Sequence, residues 1–221
     1  TVADRDAEAA MRAAIIDAYP EHGIHGEEHG VRNADAGTVW VLDPVDGTRA
    51  FVCGAPTWGT LIGLREDGRA TLGIMDQPYI GERVIGTPKR TVLRRAGVDD
   101  ETLRTSDKTD IATAFVTATT PHLFAEGYEE RAFAAVSGKA RSVRFGLDCY
   151  AGFLLAAGCL DCIVEAGLAP YDIVALIPII EGAGGVVTCW DGAPATSGGR
   201  IAAAATPALH AQVLDILNST P

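Results

Sequence analysis

Long apolar runs, a cysteine framework and an excess of positive charge are all missing from this chain of 221 residues. Its longest apolar stretch near the end, Ile173 to Ile180, is far short of the roughly 20 residues that span a bilayer, so no membrane role is expected. Lys and Arg number 18 against 29 Asp and Glu, a net charge of −11, which argues against binding to a nucleic-acid backbone. The five cysteines, Cys53, Cys149, Cys159, Cys162 and Cys189, are odd in number and without a repeated spacing. That suits reduced thiols in a cytoplasmic protein rather than a disulfide scaffold. Cys159 and Cys162 form a C-x-x-C, but no second pair or nearby histidine completes a zinc site, so a buried structural pair is expected. The 25 glycines and 11 prolines are scattered, against disorder or coiled coil. No signal peptide is read, and the first residue is Thr rather than Met, as in a listing trimmed at its start.

What is present is an ordinary core-forming composition, 48% apolar and 21% charged, arranged in alternating periods. Asp4 to Tyr19 has helical spacing and stops at Pro20. Gly23 to Gly37 is polar and turn-rich. Val39 to Leu42, Trp58 to Leu64, Ala70 to Met75, Glu82 to Gly86 and Thr91 to Arg95 read as strands, with Glu66-Asp67-Gly68 as a hairpin turn. A second half opens near Thr105. There Ala112 to Thr117, Leu160 to Glu165 and Val186 to Cys189 read as strands, and Tyr128 to Ser137, Cys149 to Ala157 and Asp172 to Gly182 as helices. Pro178 is awkward inside the last of these. The pattern predicts a layered α/β (α+β) unit in two halves, 1–104 and 105–221, forming one compact body.

The chemistry concentrates where the strand at Val39 runs into Asp43-Pro44-Val45-Asp46-Gly47-Thr48. Two carboxylates three residues apart in a turn repel one another unless solvated or shared by a cation. Hard oxygen donors at this spacing suit Mg²⁺, and Thr48 opens a helix whose free N–H groups attract phosphate. Taken alone, the string suits solvated acids in an Asx-turn equally well. A phosphoaspartate mechanism, which belongs to D-x-D-G-T, is disfavoured by the longer spacing and by Pro44. Three distant features favour the metal: Glu27-Glu28 behind Gly26, Tyr171-Asp172 at a helix start, and Asp4.

In these motifs the chain resembles the inositol monophosphatase family of Mg²⁺-dependent phosphomonoesterases. Gly26-Glu27-Glu28, the stretch from Trp40 through Asp43 and Asp46 to Thr48, and Tyr171-Asp172 with Gly184-Gly185 appear in the family's order. The segments around Trp58, Gln77 to Arg83, Asp148 to Tyr150 and Pro170 to Leu176 place the chain nearest the histidinol-phosphatase branch. The resemblance implies a layered αβαβα sandwich and a homodimer. It implies two or three Mg²⁺ held by Glu27, Asp43, the Val45 carbonyl, Asp46 and Asp172. Asp4, Glu27 and Thr48 would carry the catalysis, with Thr48 and Asp4 orienting the attacking water. Asp46, Gly47, Thr48, Arg144, Asp148, Glu165 and Asp172 would meet the substrate, Gly47 and Thr48 through the phosphate. The substrate is expected to be histidinol phosphate in histidine biosynthesis, with an inositol or other sugar phosphate as the rival. A non-catalytic metal- or phosphate-binding regulator is the rival of another class.

The chain departs from the family at Tyr171, where a Trp is usual, and at Glu181, which stands one place early before its glycines. The Arg of the substrate region, Arg144, is nearer its glycine than in inositol phosphatases, and the family's helix before Asp4 is not seen. His22, His25 and His29 read as solvated loop residues. Lys89, Arg90, Arg94 and Arg95 read as a solvated strand edge, and Trp58 and Trp190 as core.

Overall fold

The computed structural model describes residues 1–220. The first helix, α1 (Val2–Ala18), is followed by β1 (Gly23–Gly26), β2 (Gly30–Arg32), β3 (Thr38–Asp46), α2 (Thr48–Cys53), β4 (Gly59–Glu66), β5 (Arg69–Gln77), β6 (Glu82–Thr87), β7 (Arg90–Arg95) and β8 (Glu101–Thr102). The rest comprises β9 (Phe115–Ala118), α3 (Tyr128–Ser137), β10 (Ser142–Phe145), α4 (Tyr150–Ala156), β11 (Cys162–Leu168), α5 (Pro170–Ile173), α6 (Leu176–Gly182), β12 (Val186–Cys189), β13 (Gly199–Ala204) and α7 (Pro207–Ser219). Eight strands form one sheet in the order β2-β1-β3-β4-β5-β6-β7-β8, and five form the other as β10-β9-β11-β13-β12. Helix α1 packs on β3. Helices α4, α5 and α6 lie between the sheets, and α3 and α7 cover the far side of the second sheet. The result is a five-layer αβαβα sandwich.

The close approach of α5 and α6 to the first sheet is written in three glycines. Gly63 pairs across the sheet with Gly73, and Gly73 with Gly86. A Cβ at 63 would meet Val174, one at 73 would overlap the Ala175 carbonyl, and one at 86 the Ile179 backbone. The bare stripe lets the helix backbone rest directly on the strands. The Thr91 hydroxyl then donates to the Ile179 carbonyl at 2.6 Å. Helix α5, which carries Asp172, itself packs on β3 and β4.

Several elements differ from the pattern reading. The turn-rich segment 23–37 contains the β1–β2 hairpin, whose short strands carry too few side chains to show a period. The strand expected at Ala112 begins only at Phe115. Ile111–Thr113 is a 3₁₀ turn capped by Asp110, whose carboxylate accepts the Ala112 N–H at 3.0 Å. The single helix expected from Asp172 to Gly182 is two, broken at Val174 and Ala175. With α6 restarting at Leu176, Pro178 falls in its first turn, where a missing N–H has no intrahelical partner to lose. Strand β10, strand β13 and helix α7 had no counterpart in the reading. Trp190 is core, at 2% exposure, whereas Trp58 is half-buried, edge-on to Phe51 at 4.9 Å between ring centres. The strand carrying Arg94 and Arg95 is not an edge, since β8 covers it. Arg94 pairs with Asp100, and Arg95 with Glu82 and Glu101.

Candidate active site

Strand β3 does not stop at Leu42; it continues through the acidic string with a register shift between Asp43 and Asp46. The acids therefore lie in an irregular strand end rather than in a free turn. Pro44 has no N–H to give the ladder, and its carbonyl accepts the Thr60 hydroxyl at 2.7 Å. Asp43, 2% exposed, is held by the Val45 N–H at 3.0 Å. The Val45 carbonyl accepts the Thr48 hydroxyl at 3.1 Å. Gly47 adopts φ +82°, and a side chain there would strike Asp148. Glycine thus serves both the turn into α2 and the approach of a second carboxylate.

The second half of the chain completes the cluster. The Cys149 N–H donates to Asp46 at 2.7 Å, and Asp172 accepts the Ala169 N–H at 2.7 Å in the first turn of α5. Asp43, Asp46 and Asp172 each bring one carboxylate oxygen within 4.8 Å of the others. All three carboxyls are pushed above the usual carboxylate range, first by burial. For Asp43 the charges of Asp46, Glu27 and Asp172 add to it, and for Asp46 that of Asp172. Glu27 is raised as well, first by burial and then by the charges of Asp172, Glu28 and Asp4. Asp43 is buried, Asp46 and Asp172 are half-buried and Glu27 is exposed; crowded acids that raise one another and are all oxygen donors form a fitting set for a hard divalent cation.

Beside the cluster opens a cavity of about 190 Å³ between the layers. The charged side chains lining it are Asp46, Asp148, Glu165 and Asp172, and its floor includes Leu176, Ile180 and Ile201. Asp148 stands in the left-handed region at φ +46°, an uncommon state for a residue with a Cβ. Its carboxylate accepts the Thr57 hydroxyl at 3.2 Å. Burial raises it, while the nearby Arg49 guanidinium pulls the other way. Glu165 accepts the Thr119 N–H at 2.7 Å and the Thr119 hydroxyl at 3.0 Å on one oxygen. Its other oxygen, Oε2, is buried without a partner among the described residues, and burial pushes this carboxyl up to about 8.

Asp43, Asp46, Gly47, Asp148, Glu165 and Asp172 meet here, whereas Glu27 is exposed and lies outside both the three-acid cluster and the cavity lining. Asp4 is buried in the first turn of α1, paired with Thr1 and near enough to act on Glu27. Arg144 is not among the residues lining the cavity. It is exposed on the edge strand β10, where its carbonyl accepts the Thr117 hydroxyl. Glu181 is also outside the cavity lining, exposed near the end of α6. The histidines are less free than expected: His22 accepts the Trp40 indole N–H at 3.1 Å, and His25 packs edge-on to Tyr171. Cys162 is buried and its thiol is pushed up to about 12 by burial, while Cys159 is exposed and no disulfide joins them. Thr57, Thr119, the Cys149 amide and Glu8 were missed. Only Glu8 left a trace, standing one helical turn after Asp4 in an alanine-rich helix.

The sequence profile described as the inositol monophosphatase family matches residues 1–220. The chain belongs to that family. Its members and this chain's relatives are phosphomonoesterases, and the family is metal-dependent. The chain is 42% identical over 229 residues to the bifunctional phosphatase IMPL2, chloroplastic, of Arabidopsis thaliana, covering 98% of this chain and 64% of the plant protein. It is 31% identical over 193 residues to a histidinol-phosphatase of Chlorobaculum parvum, covering 86% of this chain and 71% of that one. An inositol monophosphatase structure from Zymomonas mobilis superposes with a TM-score of 0.88 at 40% identity, over 97% of this chain and 82% of that one.

Proposed function

We propose that this chain hydrolyses histidinol phosphate, or a phosphomonoester that likewise bears an ammonium group, with Mg²⁺ held by Glu27, Asp43, the Val45 carbonyl, Asp46 and Asp172. The observation that supports the substrate is the cavity wall, where the charged side chains other than the proposed metal ligands Asp46 and Asp172 are the carboxyl groups of Asp148 and Glu165. A neutral polyol can donate hydroxyls to such a wall but brings no opposite charge. A hydrogen bond to a carboxylate is worth about 1.5–3 kcal/mol from either donor, and an ammonium adds the attraction of opposite charges, which shortens and strengthens the bond. Its receivers would be the unpartnered Oε2 of Glu165, once that carboxyl gives up its proton, and the Asp148 carboxylate beside its bond from Thr57.

Two or three bound ions would supply charge neutralisation of the phosphate and an acidified water. The chain's own part is positional. The Thr48 hydroxyl, anchored on the Val45 carbonyl, and Asp4 orient the attacking water and take its proton. The Gly47 and Thr48 amides at the head of α2 face the phosphate. The Cys149 N–H and the Ala169 N–H keep Asp46 and Asp172 aimed at the common point. No covalent phosphoenzyme is required. A homodimer in the cytoplasm belongs to the same reading, on the strength of the family resemblance.

The test is the ratio of kcat/KM for histidinol phosphate and inositol 1-phosphate, in wild type and in Asp148→Asn. Wild type should favour the first substrate, and the substitution should lower that ratio about tenfold, the equivalent of about 1.4 kcal/mol. Preference for inositol 1-phosphate in wild type, or equal damage to both, would return the choice to the sugar phosphates. No activity on either with Mg²⁺ would favour a regulator.

A further inference from the structure

Glu8 is fully buried, a charged side chain at 0% exposure on α1. Its carboxylate lies beneath the turn that follows β1. Oε2 accepts the Glu28 N–H at 2.8 Å, and Oε1 accepts the His29 N–H at 3.1 Å. Arg12, one turn further along α1, donates its Nε–H to Oε1 at 2.6 Å and reaches on to the Gly30 carbonyl. On the other side of the turn, the Glu27 N–H donates to the Leu42 carbonyl of β3 at 3.2 Å. The turn is therefore held on one side by a strand carbonyl, through Glu27, and on the other by a helix carboxylate, through Glu28 and His29. A Cβ at Gly26 would overlap the Glu8 carboxylate, so the glycine before the two acids is what admits it.

The same contacts separate the two adjacent acids. The Glu28 carboxylate is drawn toward α1 by Arg5, at 3.2 Å. The Glu27 carboxylate has no ion pair with α1 among the described residues and stands near enough to Asp43 for the two acids to act on one another. We propose that Glu8 is a positioning residue: it holds the turn so that Glu27, and not Glu28, joins the three acids around a divalent cation, and it thereby sets the affinity for that cation. This rests on the metal-site reading above. Groups that orient a ligand from behind typically account for about 10–100-fold in metal affinity.

Glu8→Gln preserves shape but replaces one acceptor oxygen with an N–H₂ group, which must then face a backbone N–H or the Arg12 guanidinium. The measurement is calorimetric titration of the metal-free protein with Mg²⁺ and with Mn²⁺, alongside kcat as a function of Mg²⁺ concentration. Glu8→Gln should weaken binding by about 10–100-fold, with kcat largely recovered at saturating Mg²⁺. Arg12→Met removes the ion pair but leaves both amide hydrogen bonds, so it should lose thermal stability while keeping metal affinity within about threefold, under 1 kcal/mol. If Glu8→Gln does not fold, Gly26→Ala disturbs the same contact from the turn side and should weaken the metal similarly. Unchanged affinity in Glu8→Gln, or in Gly26→Ala where that replaces it, would overturn the proposal. So would equal losses in Glu8→Gln and Arg12→Met, since that marks helix anchoring alone. A wild type that binds neither ion overturns the metal-site reading itself, and this inference with it.

Discussion

Single carboxylates decide both the chemistry and the tension in this site. Asp43 is almost without solvent, and the charges nearest it are negative. A group raised in the folded state binds a proton that the unfolded chain releases, so its burial destabilises the metal-free protein near neutral pH. Asp43→Asn keeps the acceptor for the Val45 N–H and removes the charge. It should abolish Mg²⁺-dependent phosphatase activity while raising the melting temperature measured in chelator, by about 2–4 °C per kcal/mol recovered. Retained activity would exclude Asp43 as a ligand. Glu165 offers a pH test: it is outside the three-acid cluster, and burial is the first cause of its shift, with the charges of Asp46 and Asp148 adding to it. Its carboxyl is raised from 4.5 to about 8, so its contribution to stability is present below pH 4.5 and is lost as pH rises to about 8. The slope in that window is at most about 1.4 kcal/mol per pH unit. Stability of Glu165→Gln in chelator should fall less steeply than wild type from pH 5 to 8, as urea midpoints would show. Parallel profiles would mean that Glu165 is already ionised in the folded protein.

Elements meet closely here because their contact surfaces lack side chains. The stripe of Gly63, Gly73 and Gly86 lets the α5–α6 segment lie on β4, β5 and β6, and that seating brings Asp172 to the end of β3. Gly73→Ala puts a methyl group into the Ala175 carbonyl. Overpacking of this kind costs about 1–3 kcal/mol, or roughly 2–4 °C for each. The helix segment must lift to accommodate it, so Mg²⁺ affinity should fall together with melting temperature. Gly68→Ala, in an open hairpin turn at φ +81° with nothing near its Cβ, should lose some stability and leave the metal untouched. Equal effects on metal binding from the two would remove the link between the stripe and Asp172.

Across the molecule, one apolar cluster runs from Val39 and Val41 of the first sheet through α4 and α6 to Ile201 and Ala203 of the second. A second cluster packs α3 and α7 beneath β9, β11 and β13. We propose that the halves 1–104 and 105–221 unfold as one cooperative unit, since the three-acid cluster and the first core both draw on each. Calorimetry should show a single transition, shifted upward by Mg²⁺ as binding to the folded state alone requires. Chelator should reverse that shift and remove activity. Calcium, with a larger and looser shell, should stabilise the protein yet inhibit it. Two resolved transitions, only one of them metal-sensitive, would contradict the single unit.

The order of the motifs was legible along the chain because each is local: Asp43-Pro44-Val45-Asp46-Gly47-Thr48, Gly26-Glu27-Glu28 and Tyr171-Asp172 can be read a few residues at a time. So were the longer strands and the helix at Tyr128, whose periods are set by burial on one face. What could not be read was convergence. Nothing local shows that the Cys149 amide reaches Asp46 across 103 positions, or that Thr119 covers Glu165 from 46 away. Short edge strands such as β2 and β10 and the break between α5 and α6 follow from tertiary pairing, which overrides weak local preference. Glu8 shows the division most plainly. Its position on α1 follows from helical spacing, but its use depends on a glycine 18 residues later leaving room for its carboxylate, and only packing between α1 and β1 decides that.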